Sequence, residues 1–265
     1  MGKQELLILL SEGIISGILS AVVILLSFKL SEERNNSAKK KEENKERKKL
    51  DNYIINSGIL SMTDTINTHI NIQIIPEILG AFKSYEDIVG SSSKDKISPE
   101  LHVNIAKSYS IIEEWEKAIE QFELSMPCML TNWNVQFLYG VACANSRNNS
   151  HYLKAIEAYS NAIVYIPDNA EVNIKARLYV YRGSIYKRIG RLDEAVSDLK
   201  FALSNISTDG YEKTDALYNI ACVYAMQNNI SEFNNVMAQL ESAEDDDTID
   251  RIKKRLKVYA PNFRI

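Results

Sequence analysis

The sequence has few of the residues, and none of the spacings, that commonly carry chemistry. Its three histidines, His69, His102 and His151, lie in unrelated contexts and at no metal-ligand spacing. Its three cysteines, Cys128, Cys143 and Cys222, form no C-x-x-C pair and no even-numbered framework, which excludes a disulfide scaffold and a thiolate zinc knuckle. Reduced thiols are expected, with Cys143 and Cys222 at packed helix positions. There is no Walker loop, no G-x-G-x-x-G and no G-x-S-x-G, so a phosphate cradle, a dinucleotide fingerprint and a nucleophile elbow are all excluded. No catalytic, metal or cofactor-binding residue is assigned, and the chain reads as a non-enzyme. Five prolines and ten glycines in 265 residues are too few for a loop-rich or low-complexity protein. A net charge of -4 supplies no overall cationic field for nucleic acid.

What is present is the composition of a helical protein, 45% hydrophobic and 25% charged, long enough for one sizeable domain with appendages. Leu6 to Phe28 is an apolar run of 23 residues interrupted by one charge, Glu12. As a helix it would extend about 34 Å, against roughly 30 Å of hydrocarbon in a bilayer. No small-x-small site closes the run, so a retained transmembrane helix at 6–28, behind a short tail at 1–5, is expected rather than a cleaved signal. Residues 29–50 carry nine Lys or Arg against five Glu, whereas only Lys3 precedes the run. That bias would keep the C-terminal bulk in the cytoplasm. The Ile-, Asn- and Lys-rich character suggests a bacterial source, and hence a bacterial inner membrane. Gly13, Gly17 and Ala21 recur at four-residue spacing beside the lone carboxylate of Glu12. These four residues are expected to mark a surface for homo- or hetero-association within the membrane.

Residues 29–50 have no apolar periodicity and read as a charged spacer, either a solvated helix or a flexible linker. Residues 51–98 read as a helical segment. In PEILGAFKSYEDIVG, Pro76 opens a helix whose Ile78, Leu79, Phe82, Tyr85 and Val89 form one apolar stripe, closed by Gly90.

From Pro99 onward the chain repeats itself. IAKSYSIIEEWEKAIEQFELSM places Ala106 three residues before Tyr109, then Trp115, Ala118, Phe122 and Ser125. FLYGVACANSRNNSHYLKAIEAYSNAIVYIP carries Gly140, Cys143, Tyr152, Ala155, Tyr159, Ala162 and Pro167 in the same order. YVYRGSIYKRIGRLDEAVSDLKFAL gives Gly183, Tyr186, Gly190, Leu192, Ala195, Leu199 and Ala202. ALYNIACVYAMQNNISEFNNVMAQL follows with Leu217, Ala221 and Tyr224, and then departs from the pattern at Phe233 and Met237. Small residues at these places let two helices cross closely while large ones fill the gaps between successive pairs.

The pattern resembles the tetratricopeptide repeat, a helix–turn–helix unit of about 34 residues. The register is 99–132, 133–169, 176–209 and 214–247, with three residues inserted in the SRNNSHY turn of the second unit. A domain at 99–247 would then be followed at 248–265 by a capping helix and tail, with Ile249, Ile252, Leu256 and Tyr259 on one face. A degenerate further unit within 51–98 is a weaker match.

The resemblance implies an all-α solenoid of helical hairpins whose first helices line a peptide-binding groove. In this sequence the groove positions fall on Asn104 and Lys107, then Phe137, Val141 and Asn145. Arg177, Tyr181, Ser184, Lys187 and Arg188 follow, and lastly Tyr218 and Asn219. Arg177, Lys187 and Arg188 suit an acidic peptide or one with a C-terminal carboxylate. The pattern departs from the chaperone-binding carboxylate clamp at Val103 and Lys107, where that group has Lys and Asn. The expectation is a membrane-anchored cytoplasmic scaffold that holds a protein partner at the membrane. Two rival readings share the layout: a sensor or regulatory subunit of a bacterial membrane effector complex, oligomerising through its span, and an organelle import receptor.

Overall fold

The computed structural model describes residues 3–57, 59, 71–89, 97–168, 170, 172–206, 211–259 and 261, without the side chains of 3–24, 26, 172 and 211. His69 and Gly90 lie outside the described residues. The chain divides into two compact units, Met1–Asn56 with Gln73–Lys96, and Ser57–Ile72 with Ile97–Ile265. Among the described residues every regular element is helical.

In the first unit, α1 (Lys3–Ser57) is continuous, and α2 (Ile75–Val89) follows a single 3₁₀ turn at Ile72–Ile74. The charged stretch that read as either linker or helix is helix. Its Lys, Glu, Arg and Ala residues all favour that state, and the pairs Arg47–Asp51 (2.9 Å) and Glu46–Lys49 (3.9 Å) bridge successive turns. Towards the end of α1, Leu50 and Ile54 are buried, and the Arg47 guanidinium lies 5.8 Å over the Tyr85 ring of α2. Ile75, Ile78, Phe82, Tyr85 and Val89 form the buried stripe of α2.

The membrane span is overturned. Among the described residues no helix is long and apolar enough to cross a membrane. The apolar run does not form a separate element: α1 carries straight on into the nine cations and five glutamates of 29–50. Leu25 and Phe28, at the end of the apolar run, and Leu30 just beyond it are exposed. With the span go the membrane location and the cytoplasmic orientation. Glu12, Gly13, Gly17 and Ala21 lie on the part of α1 whose side chains are outside the described residues.

Among the described residues the second unit holds four helix pairs and a final helix. These are α3 (Pro99–Ile111) with α4 (Trp115–Met129), α5 (Trp133–Asn145) with α6 (Asn149–Tyr165), α7 (Val172–Arg188) with α8 (Leu192–Asn205), α9 (Tyr211–Met226) with α10 (Ile230–Ala243), and α11 (Asp246–Leu256). Each helix packs mainly on its pair partner, and each pair packs on the next. Side-chain oxygens of Ser98, Asn132, Asn148, Asn229 and Asp245 accept backbone N–H groups at the starts of α3, α5, α6, α10 and α11.

The turns inside the pairs share one device. Glu113, Arg147, Gly190 and Asn228 all have positive φ (60°, 57°, 79° and 55°), one in each pair. In three turns the next amide donates back to a tyrosine carbonyl: Glu114 to Tyr109 (3.0 Å), Arg191 to Tyr186 (2.9 Å) and Asn229 to Tyr224 (2.9 Å). Only Gly190 is a glycine; the other three hold a conformation that costs a side-chain-bearing residue about 1–2 kcal/mol. The inserted residues of the second unit do not sit in its turn, which has the same three-residue length as the others. They lengthen α6 to 17 residues, against 15 in α4 and 14 in α8 and α10. Three residues approximate one helical turn, so the inner face of α6 is kept in phase.

Packing between paired helices follows the small–large alternation. Ala118, Ala155, Ala195, Ala162 and Ala202 are fully buried, beside Phe122, Tyr159, Leu199 and Phe233. A Cβ at Gly140 would meet the Tyr159 ring at 2.6 Å, and one at Gly183 would meet Leu199 Cγ at 2.9 Å. Arg182 ties two pairs together: it is bidentate to Asp198 (2.7 and 2.8 Å) and donates to Ser160 Oγ (3.0 Å).

Candidate peptide-binding groove

First helix α7 packs on α9, and residues of α5, α7 and α9 face one cavity, of about 240 Å³. Val141, Ala144 and Asn145 line it from α5, with Tyr181, Ser184, Ile185, Lys187 and Arg188 from α7. Asp215, Tyr218 and Asn219 contribute from α9, Arg255 and Tyr259 from and just beyond α11, and Tyr159 from α6.

The walls hold three cations against one carboxylate. Lys187 is buried and donates to Asn219 Oδ1 at 2.6 Å, with its Nζ 5.4 Å over the Tyr218 ring and 5.2 Å over Tyr259. Burial pulls its ammonium below the ordinary lysine range. Asn219 donates in turn to the Asp215 carbonyl (2.8 Å) and to Asp215 Oδ1 (3.2 Å). Burial pushes the Asp215 carboxyl upward, against the opposing pull of Lys187 and Arg255. Arg255 lies 4.3 Å over the Tyr218 ring. Arg188 donates one N–H to the Ala144 carbonyl (3.1 Å); both arginines are exposed.

Tyrosines form the rest. Tyr181 stacks on Tyr159 at 5.8 Å and tilts against Phe137 at 5.3 Å. Tyr159 is fully buried, its hydroxyl has no hydrogen-bond partner, and burial raises its pKa well above the ordinary value, so it remains a donor. The Cys143 thiol behind this layer is pushed by burial up to about 12, which leaves it inert. Among the described residues no cluster of three His, Cys, Asp or Glu stands ready for a metal ion.

Of the twelve residues expected in the groove, eight meet at this cavity: Val141, Asn145, Tyr181, Ser184, Lys187, Arg188, Tyr218 and Asn219. Four do not. Phe137 is buried beneath Tyr181 as a support. Arg177 is drawn aside by Glu212, at 2.6 Å. Lys107 is buried and donates to the Ile59 carbonyl (3.3 Å), so residues of this chain occupy its surroundings, and Asn104, on the same helix, does not reach the cavity. Six lining residues were missed by sequence reasoning: Ala144, Ile185, Tyr159, Asp215, Arg255 and Tyr259. Asp215 lies one turn before Asn219, and the final helix takes the place a fifth first helix would fill, a signal for Arg255 and Tyr259. Tyr159 read as a core aromatic.

No family model matches the chain, and no curated protein does either. Solved structures are similar in fold. The apo quorum sensor NprR from B. thuringiensis aligns at TM-score 0.52 and 16% identity, over 72% of this chain; the match spans about half of NprR, 55%. PilF of Pseudomonas aeruginosa aligns at TM-score 0.51 and 13% identity, covering 82% of this chain and 95% of PilF. MamA aligns at TM-score 0.50 and 18% identity, covering 69% of this chain and 94% of MamA. NprR has also been solved in complex with its cognate peptide NprX. At such identities the likeness speaks for architecture alone, and the architecture is a tetratricopeptide-type stack of helical hairpins.

Proposed function

We propose that this chain is a protein-binding helical-repeat adaptor whose cavity on the first-helix face holds a carboxylate-bearing segment of a partner protein. The observation that carries the reading is the makeup of the cavity: Lys187, Arg188 and Arg255 around a floor and walls of tyrosine. Exposed guanidinium groups bind carboxylates bidentately, and tyrosine rings give a peptide contact area at small entropic cost. Peptide capture by NprR is a precedent for this use of the architecture.

The test is fluorescence anisotropy on the full chain with labelled peptides of equal length, acidic ones and neutral ones whose C-terminus is amidated. Acidic peptides bind and neutral ones do not, and the double variant R188E/R255E loses the acidic peptides while its circular dichroism is unchanged. Equal binding of both peptide classes, or full affinity in the double variant, sinks the reading.

A further inference from the structure

We infer that the Tyr159 hydroxyl is a ligand-directed group, set at the back of the cavity to donate a hydrogen bond to a carboxylate of the bound segment. The inference rests on the reading that the cavity takes such a segment, and it assigns the residue that fixes how the carboxylate sits.

The repeat supplies its own comparison. Tyr159 stands four residues after Ala155 on α6; the same place holds Phe122 on α4, Leu199 on α8 and Met237 on α10. All four side chains are buried, and three of them offer no hydroxyl. Packing there is therefore served by hydrocarbon or a thioether. The Tyr159 hydroxyl is enclosed without a partner, an arrangement that weakens a fold. Nothing in the packing of the unit requires it.

Local geometry carries the Tyr159 ring to the wall of the cavity. Gly140 lies directly under the Tyr159 ring, close enough that a Cβ would overlap Cε1 at 2.6 Å. The missing side chain lets the ring lie across α5, stacked on Tyr181, so that a residue of a second helix lines a cavity otherwise built by first helices.

The balance of donors and acceptors selects the ligand. Asp215, the one carboxylate of the lining, already accepts from Asn219 and faces the charges of Lys187 and Arg255. Lys187 is engaged by Asn219 and Cys222, Arg188 gives one hydrogen to the protein and keeps others, and Tyr159 gives none. The surplus is of donors, which an acceptor-only anion satisfies and an amide or ammonium does not. At about 240 Å³ the cavity is smaller than a drug-sized site, matching one anchoring residue of a longer segment. The carboxylate can belong to a glutamate side chain or to a chain terminus.

The experiment compares the full chain with Tyr159→Phe, against three labelled peptides: one with two internal glutamates and an amidated end, one neutral with a free C-terminus, and one neutral and amidated. The wild-type chain binds at least one of the first two, and Tyr159→Phe weakens that binding on the order of ten- to a hundredfold, the effect of one hydrogen bond to a charged group. Its melting temperature stays equal or rises. The peptide that loses affinity identifies the source of the carboxylate. Unchanged affinity in Tyr159→Phe overturns this inference and leaves the adaptor reading standing. A lowered melting temperature also overturns it, since the hydroxyl is then structural. If the wild-type chain distinguishes none of the peptides, both readings fall.

Discussion

Replacing Gly140 by alanine tests the packing rule on which the repeat unit rests. The added methyl would lie 2.6, 2.8 and 3.0 Å from three atoms of the Tyr159 ring. That ring is fully buried and stacked on Tyr181, so it cannot swing aside as the end of a flexible chain would. Overpacking of this kind costs about 1–3 kcal/mol. Alanine also favours a helix over glycine by about 1 kcal/mol, which offsets part of that cost. A rigid ring in a closed site puts the strain in the upper half of its range, leaving a net loss of about 1–2 kcal/mol.

Gly80→Ala is the control. Gly80 is also within a helix, but a Cβ there would have nothing within 4 Å, so only the helix term remains and stability should rise by about 0.5–1 kcal/mol. Urea unfolding followed by circular dichroism reads both variants in the full chain. Opposite signs at the two glycines are the expected result. If Gly140→Ala is as stable as the parent, the ring can yield, and close approach at this position does not set the helix crossing.

Arg182→Met leaves Asp198, which is nearly buried, without its bidentate partner, and should cost about 3 kcal/mol in the same unfolding assay. Gly190→Ala has open space but a φ of 79°, so it should lose about 1 kcal/mol from backbone strain alone, whereas Arg147→Gly, at φ 57°, should gain a comparable amount. Lys107 supplies a pH dependence. Burial lowers its pKa from the ordinary 10.5 to about 8, so between those values the unfolded chain binds more protons than the folded one, and stability rises with pH. Melting temperatures of the parent and of Lys107→Met should therefore converge as pH is raised from 8 towards 10, and parallel curves would show that Lys107 does not titrate there.

The helical pairs were legible because their signal is local. Ala118 and Phe122, Ala155 and Tyr159, Ala195 and Leu199 are each one turn apart, and a short-range pattern repeated three times survives in a bare sequence. Glycine marked the turn only once, at Gly190, because Glu113, Arg147 and Asn228 reach the same backbone conformation without it. Charges in the groove were the least legible, since their partners are remote in sequence. Arg177 meets Glu212 35 residues away, and Lys107 meets Ile59 48 residues away. No reading of one helix face anticipates either contact. The span misled for a related reason. Hydropathy scored over 6–28 says nothing about where the helix stops, and α1 continues to Ser57.

The final helix separates two tasks that a capping role alone would merge. Ile249, Ile252 and Leu256 enter the same core as Leu217, Ala221, Phe233 and Leu240, so one face of α11 covers the apolar end of the last pair. Arg255 and Tyr259 lie off that buried triad and close over Tyr218 and Lys187. The cover explains the first set and not the second, because a cap needs only a polar outer face, and neither an arginine over a tyrosine nor a tyrosine over a buried lysine adds to the core. Beside α3, by contrast, the chain near Ile59 already occupies the surroundings of Lys107. On the first-helix face the exposed Arg188 and Arg255 both line the cavity, so the proposed segment would be registered there by their spacing.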